Sequence, residues 1–320
     1  MAKVFCTRRI GKVGLDLIKE EGHTVSIWER EEVPTPEELI QLCKEHDALI
    51  VADRNKIDEN FLRSSSHLKV IALHSIGHNQ VDMKAAKALR IPVGNTPKGG
   101  FEATADTAFM LMITASKKAF YMHQKIRKGE WGGFAPTQNL GISLRNKVLG
   151  VFGLGTIGYE MARLSKAAYA MDIIYHNRNR NEKAEKELGA KYVSFDDLLK
   201  QSDVLSVHAS LTKETYGRFD AEAFKKMKSS AIFVNTSRGL MHDENALKEA
   251  LLTGEIWGAG LDVTNPEPMS PENELLDLPT VAITPHIGSA VDKDRDEMAR
   301  MVAKNIIAGL NGEKLPHEVS

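Results

Sequence analysis

Gly153-Leu154-Gly155-Thr156-Ile157-Gly158 sets glycine at the first, third and sixth positions of a six-residue run, and no other stretch constrains the fold of this chain as strongly. The preceding Val148-Leu149-Gly150-Val151-Phe152 reads as a buried strand, and Ile157, Met161, Leu164 and Ala168 then recur at helical spacing. Strand, glycine turn and helix in that order are the context a dinucleotide site requires. Gly153 permits the tight turn, Gly155 leaves room for a pyrophosphate against the backbone, and Gly158 lets the helix pack closely on the strand. The helix start at Thr156 and Ile157 then faces the phosphates.

Which dinucleotide is expected depends on the end of the next strand, about 20 residues further on. There the chain reads His176-Asn177-Arg178-Asn179-Arg180, without the acid that binds a ribose 2′-hydroxyl, while Asp172 falls too early. Asn177, Arg178 and Arg180 offer the donors and charge that suit a 2′-phosphate. The expected cofactor is therefore NADP(H), with NAD(H) as the alternative if both arginines belong only to the surface turn before the charged helix 181–188.

The 320 residues leave room for two domains, each a set of alternating strand and helix patterns. The first set has strands near 4–7, 24–28, 48–52, 68–74 and 92–95, which implies a parallel sheet covered on both faces. Thr35-Pro36-Glu37-Glu38 carries the marks of a helix start. One long helix is predicted over 102–128, leaving the first domain. The second set begins near Lys147 and continues with strands at 204–208, 231–235, 257–263 and 281–284. A last helix over 292–310 is expected to return to the first domain. The formal net charge of −1 recruits neither nucleic acid nor an anionic membrane. The two cysteines, Cys6 and Cys43, offer no disulfide framework and no metal-ligand spacing. With no apolar run long enough to span a bilayer and no leader pattern, a cytoplasmic protein with a small-molecule ligand is expected.

Ligands of such sheets gather outside the carboxyl ends of the strands. Three segments put chemistry there: Asn235-Thr236-Ser237-Arg238-Gly239, Gly260-Leu261-Asp262-Val263 followed by Glu267, and Thr284-Pro285-His286-Ile287-Gly288. Reduction of a 2-oxo acid needs a cation to polarise the carbonyl and a proton donor for the developing alkoxide. Arg238 suits the first task and His286 the second, with Glu267 as the carboxylate that favours a protonated ring. Singly, each is an ordinary residue; together they suit hydride transfer to a ketone.

On these segments, with Ser202-Asp203-Val204-Leu205-Ser206-Val207-His208 and the Leu211-Thr212 and Glu214-Thr215 pairs after it, nearly the whole chain resembles the D-isomer-specific 2-hydroxyacid dehydrogenases. The resemblance implies an α/β fold of two domains, with a Rossmann-type NAD(P)-binding domain (99–290) inserted in a flavodoxin-like substrate domain (1–98 and 291–320). It implies Arg238, Glu267 and His286 as the catalytic residues. Asp262, Thr104 and Thr215 join the cofactor contacts, Asp262 at the nicotinamide end. Ile76 and Gly77, in Ser75-Ile76-Gly77, would bind the substrate carboxylate through main-chain N–H groups, a chemically reasonable anion nest. Asp53 and Arg54 would line the substrate cleft from the neighbouring loop. There, and at His78, the chain departs from the commoner residues, which predicts a more polar pocket.

Within the family, glyoxylate and hydroxypyruvate reductases are the nearest in kind, giving glycolate or D-glycerate. A 2-ketogluconate or broad D-lactate-type enzyme is the alternative in the same class. A nucleotide-sensing corepressor that binds peptides is the alternative outside it, disfavoured by the lack of long disordered extensions. Resemblance further implies a homodimer, with the segment through Trp131, Phe134 and Leu140 to Leu144 reaching a second subunit.

Overall fold

The computed structural model describes residues 1–319, which divide into a unit of residues 1–100 and 289–319 and a unit of residues 101–288. The first unit holds β1 (Lys3–Cys6), β2 (Thr24–Ile27), β3 (Ala48–Val51), β4 (Val70–Leu73) and β5 (Val93–Gly94). All pair in parallel, in the order β2-β1-β3-β4-β5. This is the flavodoxin-like order, with its switch point beside β1 and β3. β3 and β4 are buried throughout, as strands covered on both faces must be. Between β2 and β3, Thr35 Oγ1 accepts from Glu38 N at 3.2 Å while Thr35 N donates to Glu38 Oε2 at 2.9 Å, a capping box worth about 1 kcal/mol to that helix. The final helix Asp292–Leu310 belongs to this unit, where Val302, Ala303 and Ile306 share a core with Val4, Ile18, Ile50 and Val70. Beyond it the chain runs along β5, with Val319 N donating to Val93 O and Asn95 N to His317 O.

The second unit holds β6 (Val148–Phe152), β7 (Asp172–His176), β8 (Lys191–Tyr192), β9 (Val204–Val207), β10 (Ile232–Asn235), β11 (Gly258–Leu261) and β12 (Val281–Ile283). Their order is β12-β11-β10-β9-β6-β7-β8, all parallel. Counted from β6, this is the 3-2-1-4-5-6 Rossmann order with one strand added, and its switch point lies between β6 and β9. Two apolar clusters cover the faces, one around Leu149, Val151 and Val234, the other around Leu205, Val207 and Phe233.

Two details differ from the sequence reading. The single helix expected over 102–128 is two helices, Phe101–Lys117 and Ala119–Arg127, broken at Lys118, which sits at φ 58°. The cause is a competing hydrogen bond: Ile142 N, returning in the chain, donates to Ser116 O at 3.0 Å, and the backbone at Gly141 lies against that carbonyl. The edge strand β8, two exposed residues long, is too short to give a period-two pattern. No helix among the described residues is long and apolar enough to cross a membrane.

Candidate active site

The glycine run does what its spacing requires. Gly153, at φ 98°, brings the turn against the backbone of Ala209, where a Cβ would stand 2.4 Å from Ala209 N. A Cβ on Gly158 would stand 2.5 Å from Gly153 O, so the helix Thr156–Tyr169 can start only where it does. At Gly155 a Cβ would meet nothing within 4 Å. That space lies before a 14-residue helix whose first ladder bond is Tyr159 N to Gly155 O, leaving the N–H groups of Thr156, Ile157 and Gly158 directed outward. An open backbone cradle at a helix N-terminus fits a dinucleotide pyrophosphate.

This geometry sets up a test that separates fold from ligand. Aspartate is a good N-cap residue and complements the helix dipole, so Gly155→Asp is expected to shift Tm by no more than about 2 °C. Its carboxylate fills the cradle and repels phosphate, so the dissociation constant for NADPH should rise about a hundredfold or more. Thermal melts and cofactor fluorescence titration read both; unchanged affinity would remove the cradle from the site.

At the end of β7, Asn177 is committed to the glycine turn: its Oδ1 accepts from Leu154 N at 2.6 Å. Asn181, which the sequence reading did not single out, caps the next helix through Ala184 N and donates to Leu154 O at 2.8 Å. Arg180 forms a bidentate pair with Glu185, at 2.9 and 2.7 Å. Arg178 is exposed, and its charge helps hold the Glu214 carboxyl below the usual carboxylate range, behind the larger effect of the Thr212 hydroxyl. Thr215 Oγ1 closes its own loop, accepting from Thr212 N at 2.7 Å and donating to Ser210 O at 2.8 Å.

At the ends of β10, β11 and β12 the three chemical segments come together. Gly239, directly after Arg238, presses onto the backbone of Thr264, where a Cβ would lie 1.9 Å from Thr264 O. Thr264 N in turn donates to Glu267 Oε1 at 2.9 Å, and Glu267 Oε2 lies 3.0 Å from His286 Nδ1. Arg238 is half-buried, its Nη1 donating to Ser237 O at 2.7 Å. Burial pushes its guanidinium below the ordinary arginine value, and the charge of Glu267 pushes it back up. The side chain of Glu267 is 16% exposed and that of His286 48%, so the ring is open to a reactant while its partner is shielded.

His286 itself sits at φ 55°, a conformation that costs a non-glycine residue energy and persists only where its surroundings enforce it. Asp262 supplies that enforcement. Its Oδ1 accepts from Ile287 N at 2.8 Å and from Thr284 Oγ1 at 2.6 Å, and its Oδ2 from Gly288 N at 2.7 Å. Burial raises the Asp262 carboxyl and these donors pull it down. The residue expected as a cofactor contact is the clamp of the histidine turn. Thr104 lies beside the same turn, its methyl 3.4 Å from where a Gly288 Cβ would be. Two other histidines of this unit are ill suited to proton donation, because burial pushes His208 down to about 3 and His242 down to about 4.

In the first unit, the loop after β4 is held by its carbonyls: Ser75 Oγ donates to Gly77 O and Asn95 Nδ2 to Ile76 O, both at 2.7 Å. The Ile76 and Gly77 N–H groups donate to no backbone acceptor among the described residues. Beside it, Asp53 pairs with Arg8 at 2.6 Å, and Arg54 follows with half its side chain exposed. His78 is exposed.

Residues 109–288 match the family described as D-isomer specific 2-hydroxyacid dehydrogenase, NAD binding domain. A glyoxylate reductase of Thermococcus litoralis is 41% identical, covering 99% of this chain and 96% of that protein. Among solved structures, a glyoxylate reductase from Paecilomyes thermophila is 33% identical with a TM-score of 0.87, over 99% of this chain and 98% of that one. The NADPH-dependent glyoxylate/hydroxypyruvate reductase of Sinorhizobium meliloti, solved with NADP and malonate, is 29% identical with a TM-score of 0.86, over 100% and 97%. With the Rossmann strand order, the glycine cradle and the joined ends of β10, β11 and β12, these likenesses place the chain in the D-isomer specific 2-hydroxyacid dehydrogenase family.

Proposed function

We propose that the protein reduces glyoxylate and hydroxypyruvate to glycolate and D-glycerate with NADPH. The observation that carries this reading is the 3.0 Å pair of His286 Nδ1 and Glu267 Oε2 beside half-buried Arg238, at the strand ends of a dinucleotide-binding unit. The bound cofactor supplies the hydride that adds to the 2-carbonyl carbon. Arg238 draws electron density onto the carbonyl oxygen and stabilises the charge that develops there. Because Nδ1 faces Glu267, the other ring nitrogen of His286 delivers the proton to the nascent alkoxide, while Glu267 stabilises the imidazolium and fixes its orientation. Ile76 and Gly77 N–H groups are assigned the substrate carboxylate, as an anion nest.

The lack of an acid after β7 and the exposed Arg178 support a preference for NADPH over NADH. Arg180 shares its charge with Glu185, so Arg178 is the main phosphate contact. Initial rates with each cofactor, on glyoxylate and on hydroxypyruvate, test the reading. NADPH should be used faster, and Arg178→Ala should raise its KM about tenfold while leaving that for NADH nearly unchanged. Equal effects on both would return Arg178 to the role of a surface residue.

The same reading includes a homodimer in a reducing cytosol. Trp131, Phe134 and Leu140 are 79%, 95% and 60% exposed, which supports an apolar interface along this segment. Both thiols are buried and free. Light scattering should give twice the 35.4 kDa chain mass, and the Trp131→Ala/Phe134→Ala double variant should shift it toward one chain.

A further inference from the structure

The turn that carries Arg238 is shaped by two buried side chains, Asn235 and His242, which the hydride and proton transfers do not use. Asn235 is the last residue of β10. Its Oδ1 accepts from Ser237 N at 2.9 Å, and its Nδ2 donates to Arg238 O at 2.9 Å. These two bonds pin the peptide planes on either side of the peptide that joins Ser237 to Arg238. The plane between them carries Ser237 O, which accepts from Arg238 Nη1 at 2.7 Å. One side-chain amide therefore sets both the backbone that bears the guanidinium and a carbonyl that anchors it.

The amide has a second N–H, and His242 receives it. Nδ1 of that ring lies 3.1 Å from Asn235 Nδ2. Two donors do not face each other, so Nδ1 is the acceptor and the ring carries its proton on Nε2. Burial keeps the ring in this neutral form by pushing it down to about 4. The backbone returns the ring to that place after the short helical turn Gly239–Met241, with His242 N donating to Gly239 O at 3.1 Å. Asp243 then caps the helix Glu244–Leu252 through Ala246 N at 3.0 Å. On its other side the ring meets Phe233 edge to face, with centroids 5.6 Å apart. A buried N–H without an acceptor is costly, so an Asn235 amide deprived of His242 gains by turning away from the peptides it holds.

We propose that His242 is a positioning residue for the reduction: by accepting from Asn235 Nδ2, it keeps in place the amide that fixes the Arg238 turn. This rests on the reductase reading above and deepens it. In this role His242 transfers no proton, and it acts through Asn235 alone.

The test is a double-mutant cycle in the full-length enzyme, with hydroxypyruvate and NADPH. His242→Phe keeps the bulk of the ring and removes its acceptor. It is expected to lower kcat/KM for hydroxypyruvate by about tenfold and to leave the KM for NADPH nearly unchanged, because a small misplacement of the polarising group is felt in the reaction. His242→Asn, whose Oδ1 can stand in for Nδ1, should recover most of the loss. In an Arg238→Ala background, His242→Phe should change kcat/KM by less than about twofold, since the group it positions is gone. Asn235→Asp can still accept from Ser237 N but no longer donates to Arg238 O, and it should reproduce the loss with His242 intact. Where His242→Phe does not fold, His242→Val runs the same cycle without added bulk. A loss of equal size with and without Arg238, a matching rise in the KM for NADPH, no recovery in His242→Asn, or failure of both apolar variants to fold would each make His242 a core residue and overturn the proposal. Turnover of hydroxypyruvate by the parent separates the two failures: if it persists while the variants do not move it, this inference alone falls, and if it is absent the reductase reading falls with it.

Discussion

Replacing His286 by alanine is expected to lower kcat for hydroxypyruvate reduction by about 10²- to 10⁴-fold, the range that a positioned general acid contributes. Cofactor binding should hardly change, because the phosphate cradle at Gly155 belongs to β6 and the helix after it, not to the β12 turn. The loss is expected in kcat rather than in the melt, since the ring is half exposed and the turn is tied by Asp262 through the Ile287 and Gly288 N–H groups. Glu267→Gln separates the carboxylate's charge from its placement of the ring. The amide can still accept from Nδ1, but the negative charge that stabilises the imidazolium is gone, so kcat should fall by about tenfold or more while the KM for NADPH hardly changes. Near-normal turnover in His286→Ala, or an unchanged kcat in Glu267→Gln, would take the proton transfer away from this pair.

The cradle was legible because its information is local. Three glycines between a strand and a helix state a backbone geometry directly, and Gly153 at φ 98° and the open Gly155 adopt it. The strand-end positions of Arg238, Glu267 and His286 were legible too, since buried runs mark strands and the sheet's polarity says at which end ligands gather. Their union was not. It depends on Gly239 letting one loop lie on Thr264, and on a threonine N–H aiming Glu267 at a histidine 19 residues away. Lys118 shows the same limit, because the residue that ends its helix is Ile142, far along the chain. Arg180 carried its ambiguity in plain sight: Glu185, five residues on, competes with any phosphate for the same fork. Asp262 stands out in the sequence as an acid just past a strand, but its grip on the His286 turn required knowing that β11 and β12 are neighbours.

Arg238→Lys is expected to cost about 10²-fold or more in kcat/KM for the oxo acid while leaving the KM for NADPH nearly unchanged. The substitution keeps a positive charge, so the size of the loss measures what the guanidinium does beyond being a cation. In place, one arm of the fork is held by Ser237 O at 2.7 Å, and a guanidinium has several donors in one plane to meet oxygen. Lysine has no second arm: it can answer Ser237 O or the substrate, and a point charge on a flexible stem does not hold a carbonyl in one orientation. Burial adds to the penalty. The Arg238 site already presses its group's pKa down, and arginine tolerates this because its ordinary value stands so high. A lysine ammonium starts about two units lower, in the same surroundings, with only the charge of Glu267 in its favour. Part of the loss in the lysine variant should therefore be recovered as the pH is lowered, whereas Arg238→Ala should show no such recovery. A lysine variant with full activity would mean that the site needs only charge at this point, and the polarising role would pass from Arg238 to the proton donor alone.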